Sequence, residues 1–370
     1  MGRELRKIAF LFEEFAPATP GQQLLDRFLI GYPRDGEFHD PRIPVVAAHL
    51  MLGVNAPELD DRADDYDLTP AETVEAAVAG ADAVVVVPRR PGGLANERFV
   101  ELALQQAPAG GACFVYGALC NRLARGQEFA RVARERNLEL RSGASLSLTW
   151  RLPPVELPWE TPLADALVVA QGPFPGAEMQ ALDALAPVIE RRRGGESGVR
   201  RVYYLEGEAV WRAGDRGLWS WPLLAAALSR SDSPQGDSVL DGRTQDLVGL
   251  GQVPKLARQP RAWALEHEDG LRTTVLTLDG VVADFNFAVR AVDGAVVSAQ
   301  LFRAPPPGEQ HFSLLAAALE DWFRGGPPGW PLERGLLIAG LLETFAQPAA
   351  RDPRGVATPD LRIKYRAERG

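Results

Sequence analysis

Residues 13–22 read Glu13-Glu14-Phe15-Ala16-Pro17-Ala18-Thr19-Pro20-Gly21-Gln22, a short connection between an apolar run and a helical pattern. The first loop of an α/β sheet faces ligand, and a dinucleotide there needs Gly-x-Gly-x-x-Gly so that backbone amides can approach the pyrophosphate. This loop has a single glycine, two prolines without N–H groups and two carboxylates that repel phosphate. Carboxylates are good acceptors for sugar hydroxyls, and they are equally at home as solvated loop acids. Asp60, Asp61, Asp64 and Asp65 follow the second apolar run, where a ribose-binding acid often stands and where an exposed acidic loop serves as well. Tyr116 ends an apolar run and becomes a base only if its pKa is lowered; the alternative is packing. His311 precedes a helical pattern and either lines a ligand cleft or caps the helix. His267, between Glu266 and Glu268, reads as surface structure, and His49, in an apolar run, as a satisfied core histidine.

Other chemistries are poorly served. The formal net charge of −9 and a pI near 5.2 argue against nucleic acid, whose phosphates need a basic face. Three lysines (Lys7, Lys255, Lys364) leave few candidates for lysine chemistry. Cys113 and Cys120 lack a Cys-x-x-C spacing and read as core, and four scattered histidines give no metal-ligand pattern, so no metal is expected. No stretch provides the ~20 apolar residues of a membrane span. The first residues show no apolar targeting region, so the expected location is cytoplasmic.

The elements that must position these residues alternate in the first 150. Strands are expected at 7–12, 45–51, 83–87, 112–116 and 138–141, and helices at 21–31, from Thr69-Pro70-Ala71-Glu72 to Gly80, at 96–106 and at 126–136. Residues 83–87, Ala-Val-Val-Val-Val, are the kind of run buried on both faces of a parallel sheet. The rhythm is Rossmann-like, a doubly wound parallel sheet.

The second half differs. Asp-Gly pairs at 269–270, 279–280 and 293–294 each favour a tight hairpin, which predicts a meander of antiparallel strands at 262–268, 271–278, 281–290 and 295–302. Helices at 177–193, 221–229, 312–324 and 332–345 are available to cover one face of this sheet, making the second domain α+β on an open, mostly antiparallel sheet. Residues 229–260 read as a long loop, 361–365 as a closing strand, and the stiff segment 150–158 as the boundary between domains 1–150 and 151–370. Arg191–Arg193 before Gly194-Gly195 read as a helix C-terminus or an anion site. Trp150, Trp159, Trp211, Trp219, Trp221 and Trp330 are packing residues or sugar-stacking faces.

This order of elements resembles the Gfo/Idh/MocA oxidoreductases over nearly the whole chain. A divergent bacterial branch is the best match, through Thr149-Trp150-Arg151-x-Pro153-Pro154, Glu190-Arg191-Arg192-Arg193-Gly194-Gly195-Glu196 and Leu205-Glu206-Gly207-x-x-x-Trp211. The resemblance implies NAD or NADP as cofactor along the carboxyl edge of the first sheet, beside Glu14, Gly21, Pro88 and Gly117. It also implies a sugar-like or polyol ligand in a cleft between the domains, with Glu14, Trp150, Arg151, Asp183 and His311 as candidate residues. Trp150 and Arg151 are the expected substrate contacts.

The departures matter as much. Where the family has the lysine of Glu-Lys-Pro, this chain has Gly117, beside Tyr116. Where it has a histidine followed three residues later by aspartate, this chain has Gln180 and Asp183. Glutamine hydrogen-bonds a hydroxyl but does not take its proton. The resemblance therefore leads to an oxidoreductase that is atypical or degenerate at its cofactor loop and catalytic positions, with Asp183, Gln180, Tyr116 and His311 as candidates. The alternative is a non-catalytic binding or partner subunit, as a homodimer or with an active paralogue, in which an exposed sheet face serves as the interface.

Overall fold

The computed structural model of the protein describes residues 6–51, 56–89, 97–172, 176–234 and 246–368. They form two compact units: residues through Leu148 with Ala304–Ala339, and Thr149–Arg303 with Gly340–Ala367. Residues 304–339, expected in the second domain, thus group with the first.

The first unit is built on β1 (Ile8–Phe12), α1 (Pro20–Leu29), a hairpin of β2 (Tyr32–Arg34) and β3 (Glu37–His39), β4 (Val45–Leu50), α2 (Pro57–Tyr66), β5 (Thr69–Pro70), α3 (Val74–Val78), β6 (Ala83–Val87), α4 (Glu97–Gln106), β7 (Ala112–Tyr116), α5 (Leu123–Glu135) and β8 (Glu139–Gly143). Six strands form one parallel sheet in the order β5-β4-β1-β6-β7-β8. This is the doubly wound order expected of a Rossmann-like half. Every residue of β1, β6 and β7 is buried, as continuous apolar runs between two helix layers require. Cys113 and Cys120 lie in this core, where burial pushes the Cys113 thiol up to about 12. His49 is buried with its Nδ1 2.8 Å from the Ala71 carbonyl, a satisfied core histidine.

Three local expectations need correction. Thr69 does not cap a helix: Thr69 and Pro70 pair with Ala47 and Ala48 as the edge strand β5, where a proline is tolerated, and α3 starts at Val74 under a Thr73 cap whose hydroxyl accepts from Ala76 N at 3.1 Å. Asp60, Asp61, Asp64 and Asp65 do not form a loop but an exposed face of α2. The β2–β3 hairpin turns on another Asp-Gly pair, Asp35-Gly36, that the reading above passes over.

The second unit contains β9 (Arg151–Leu152), β10 (Leu163–Ala170), α6 (Ala177–Ile189), β11 (Val199–Glu206), α7 (Glu208–Asp215), α8 (Trp221–Leu228), α9 (Val253–Leu256), β12 (Arg258–His267), β13 (Arg272–Asp279), β14 (Phe285–Ala291) and β15 (Val296–Leu301). α10 (Gln310–Phe323) returns to the first unit, α11 (Leu332–Ala346) gives its halves to the two units, and β16 (Val356–Ala357) closes the second. The sheet order is β16-β11-β12-β13-β10-β14-β15-β9.

The expected meander is therefore broken. β12–β13 and β14–β15 are antiparallel hairpins, but β10 lies between them, parallel to β13 and antiparallel to β14. β10 is apolar along most of its length and nearly all buried, so it takes a central position, and the Asp279-Gly280 segment becomes a crossover instead of a tight hairpin. The second-unit edge next to β11 is Val356–Ala357, not 361–365, of which Tyr365 makes an isolated bridge to Glu196.

Residues on both faces of this sheet are buried. Leu167, Val169, Leu276 and Ala288 on one face join Val210, Trp211, Leu223 and Leu224 of α7 and α8 in one apolar core. On the opposite face, which alternation assigns to Trp263, the Trp263 ring lies 5.6 Å from that of Phe345 on α11. Val168, Val275, Phe287 and Ala299, in register with Trp263 on that face, are buried, so the sheet face expected as an oligomer interface is not exposed there. Trp211, Trp219 and Trp221 pack against one another with ring centroids 4.5–6.5 Å apart, Trp211 stacked on Trp221.

α10, expected to cover the second sheet, instead packs on α1, β2 and the short turn Ser145–Leu148. Arg27 explains why. Its buried guanidinium donates to Ser313 Oγ (3.0 Å), Gln23 Oε1 (2.6 Å), Gly308 O (2.8 Å) and Glu309 O (3.2 Å). Burial brings its pKa down to about 10 against the pull of Glu309 and Asp26, so the charge persists at neutral pH.

His267 also differs from expectation. It is 1% exposed, with Nδ1 2.9 Å from Glu196 Oε1 and Nε2 2.9 Å from Thr273 Oγ1. Arg192 donates to Glu196 at 3.0 and 3.2 Å and to Asp269 at 2.7 Å, so part of the Arg191–Arg193 run is a buried ion cluster beyond the end of α6. Burial would raise the Glu196 pKa, but His267 and Arg192 outweigh it and hold this carboxyl well below the usual range.

Candidate functional site

In a doubly wound sheet the ligand crevice opens outside the carboxyl ends of the strands, where the strand order reverses. Here that point lies between β1 and β6. The loop after β1 is tied across it. Glu13 N donates to Val87 O (3.1 Å), Arg89 N donates to Glu13 Oε2 (2.9 Å), and Glu14 is ion-paired to Arg89 at 3.3 Å. Pro88, buried between Val87 and Arg89, has no amide to offer.

The same loop then turns into α1 on its own hydrogen bonds. Thr19 is the N-cap, and its hydroxyl oxygen accepts from Gln22 N (3.4 Å) and Ala16 N (3.3 Å). Thr19 N donates to Ala16 O at 3.1 Å. Ala18 stands at φ +61°, a left-handed conformation that costs a non-glycine residue about 1 kcal/mol. Its N–H donates to Gln22 Oε1 at 2.6 Å, which holds it there. Gly21 sits in a tight place: a Cβ there would lie 3.0 Å from the Phe12 ring and 3.1 Å from Glu14 O, so a larger residue would need its neighbours to shift. These residues fit the pyrophosphate of a dinucleotide poorly, because the amides of Ala16, Ala18, Thr19 and Gln22 are bonded within the loop and Pro17 and Pro20 have none.

At the carboxyl end of β7, Tyr116 is buried, its hydroxyl 3.1 Å from Ser145 Oγ and its ring 5.8 Å from that of Phe312. Gly117 follows at φ +88° and donates to Gly143 O at 2.8 Å, a conformation that suits glycine and would strain a lysine. His311 is buried inside the first turn of α10, not before the helix, against the Phe312 ring at 4.7 Å. Tyr116 and Phe312 are thus brought together, as are Glu14, Gly21 and the β6 end.

In the second unit Gln180 and Asp183 lie one turn apart on α6, Gln180 half-buried and Asp183 1% exposed. Trp150 and Arg151 are not brought to them: they sit at β9, three strands from β10 at the sheet edge. Trp150 is 49% exposed and stacks on Phe302 at 6.4 Å. Arg151 is largely buried, donates to Val155 O (3.4 Å) and has Glu156 at 3.7 Å. Burial holds its guanidinium below the usual range, Glu156 opposing and Arg191 adding to the effect.

One residue near this pair escaped the sequence reading. Glu178, 0% exposed in the first turn of α6, accepts from Gly176 N at 2.9 Å through Oε2, while its Oε1 has no hydrogen-bond partner among the described residues. Burial pushes its pKa up to about 7. An acid in the first turn of a helix is ordinary, so nothing in the sequence marked it.

Comparison with family models and with curated protein sequences gives no match. Among solved structures, GenD2 from gentamicin A biosynthesis, in complex with NAD, superposes with a TM-score of 0.61 at 14% identity over 97% of this chain and 98% of its own. Scyllo-inositol dehydrogenase from Lactobacillus casei gives 0.54 at 13% over 93% and 96%. Biliverdin reductase from Synechocystis, bound to biliverdin and NADP+, gives 0.52 at 15% over 92% and 98%. The chain has the fold of the Gfo/Idh/MocA oxidoreductases.

Proposed function

We propose that this chain is an atypical Gfo/Idh/MocA oxidoreductase whose ligand is a small sugar-like or polyol molecule. The observation that carries the reading is the continuity of the fold: similarity spans 92–97% of the chain, so both the nucleotide-type unit and the substrate-type unit are present. Proteins of this fold include inositol and UDP-N-acetylglucosamine dehydrogenases. Two solved relatives carry NAD or NADP+, so a nicotinamide is the natural redox carrier for the reading. The loop after β1 fits its pyrophosphate poorly, and no step is derived through it.

Candidate polar groups for hydroxyl recognition are Gln180 and Asp183 on α6, Tyr116 with Ser145, and His311. The Gln180 amide can both donate to and accept from a hydroxyl, whereas Tyr116, Asp183 and His311 are the groups of this set able to exchange a proton. A thermal-shift screen of sugars, polyols and sugar acids tests the ligand class. Saturable stabilisation by at least one of them, lost in Gln180→Ala, is expected; no response to any would remove the ligand class.

A second reading, a non-catalytic partner or binding subunit, is favoured by the closed loop together with Gly117 and Gln180 at the positions of the family's lysine and histidine. A partner would dock away from the faces of the second sheet, which are buried. Copurification of an intact relative with turnover only in the complex is its expected signature.

A further inference from the structure

The loop between β1 and α1 has the place of a phosphate cradle and the hydrogen bonding of a closed turn. A diphosphate on such a helix end is held by several backbone N–H groups pointing out of the loop and the first turn. In this chain Ala16 N and Gln22 N are taken by Thr19 Oγ1, Ala18 N by Gln22 Oε1, Thr19 N by Ala16 O and Gln23 N by Thr19 O. Pro17 and Pro20 have no N–H to give. Across the crevice the amide of Arg89 is taken by Glu13, and the Arg89 side chain by Glu14.

We infer that the nucleotide cradle of this fold is closed from within: Thr19, Gln22 and Glu13 fill the amides of Ala16, Ala18, Gln22 and Arg89, too many of the donors around the N-terminus of α1 for a dinucleotide to be held there. Thr19 and Gln22 act as the chain's own substitute for a phosphate. The inference rests on the hydrogen bonds of the first unit and not on the ligand class proposed above. A failed sugar screen would leave it standing, and its own failure would leave the sugar screen untouched.

The test is calorimetric titration of the full-length protein with ADP, NADH and NADPH, repeated on Gln22→Ala and Thr19→Ala. Gln22 is half-buried at the surface, so Gln22→Ala keeps the fold even if loss of the Thr19 cap weakens α1. No saturation up to about 1 mM is expected for the wild type, the concentration at which binding is worth only ~4 kcal/mol. Saturable binding that neither variant alters also agrees, since the nucleotide then sits elsewhere. Binding that either variant gains or strengthens also agrees, since truncation frees the donors, whereas wild-type binding that either variant weakens about tenfold or more would overturn the inference, because those side chains would then support the nucleotide instead of excluding it.

Discussion

Two connections in this molecule run from a central strand into a helix, β1 into α1 and β10 into α6, and they satisfy the exposed helix end in opposite ways. At α1 a neutral hydroxyl and a neutral amide, Thr19 and Gln22, close the turn near the surface. At α6 the N-cap is Gly176, which has no side chain, and the buried Glu178 reaches back to its amide. The first arrangement uses up the polar groups where this fold normally meets a cofactor. The second leaves a carboxyl in the core, one of its oxygens without a hydrogen-bond partner among the described residues, on the helix that also carries Gln180 and Asp183.

The sharpest contrast is between the carboxyls near the two ends of α6. Glu196, beyond the C-terminal end, is held ionised by Arg192 and His267. Replacing it, Glu196→Gln, leaves that buried positive charge with fewer partners and should cost about 3–5 kcal/mol in chemical denaturation. Its folded pKa is depressed, so its contribution is present above the ordinary carboxylate pKa near 4.3 and is lost as pH falls below it. Wild-type stability should drop in that acid window and the variant should drop less.

Glu178 has the opposite sign. With a folded pKa near 7, its full contribution exists below the ordinary carboxylate range and fades as pH rises to about 7. The shift is equivalent to about 3 kcal/mol at alkaline pH. Glu178→Gln should match the wild type at pH 5 and exceed it at pH 8.5, measured by urea unfolding at both. Equal stabilities at pH 8.5 would mean that Glu178 is not held in an environment that disfavours its charge.

The α1 turn should give the smallest effects. Thr19→Ala removes a cap and should cost about 1 kcal/mol. Ala18→Gly relieves a left-handed φ and should change stability by no more than ~1 kcal/mol, in the stabilising direction if strain outweighs the entropy of the new glycine. Thermal unfolding of both reads the difference, and a large loss in Ala18→Gly would contradict the strained turn described above.

The sheets were legible where the signal is local. Ala83–Val87 and Ala112–Tyr116 show themselves as strands because a short β-branched or aromatic run leaves few alternatives, and Asp-Gly marks hairpins wherever it falls between such runs. What lies between two hairpins is not local: β10 is more than 100 residues before β13 and inserts beside it by its apolar character. The same limit hid His267 and Glu178, whose burial is decided by segments far along the chain. In the candidate site, the missing glycines of the loop were readable, but the closure of the loop was not. It depends on Arg89, which β6 brings to Glu13 across the sheet.

The most direct measurement of the central claim is an amide-resolved titration of the isotope-labelled protein with NADH, following the N–H signals of Ala16, Ala18, Gln22 and Arg89. The account predicts that these four signals stay in place up to about 1 mM NADH, whether or not others move. Concerted shifts of the four would show that phosphates displace Thr19, Gln22 and Glu13, and would contradict the closed cradle.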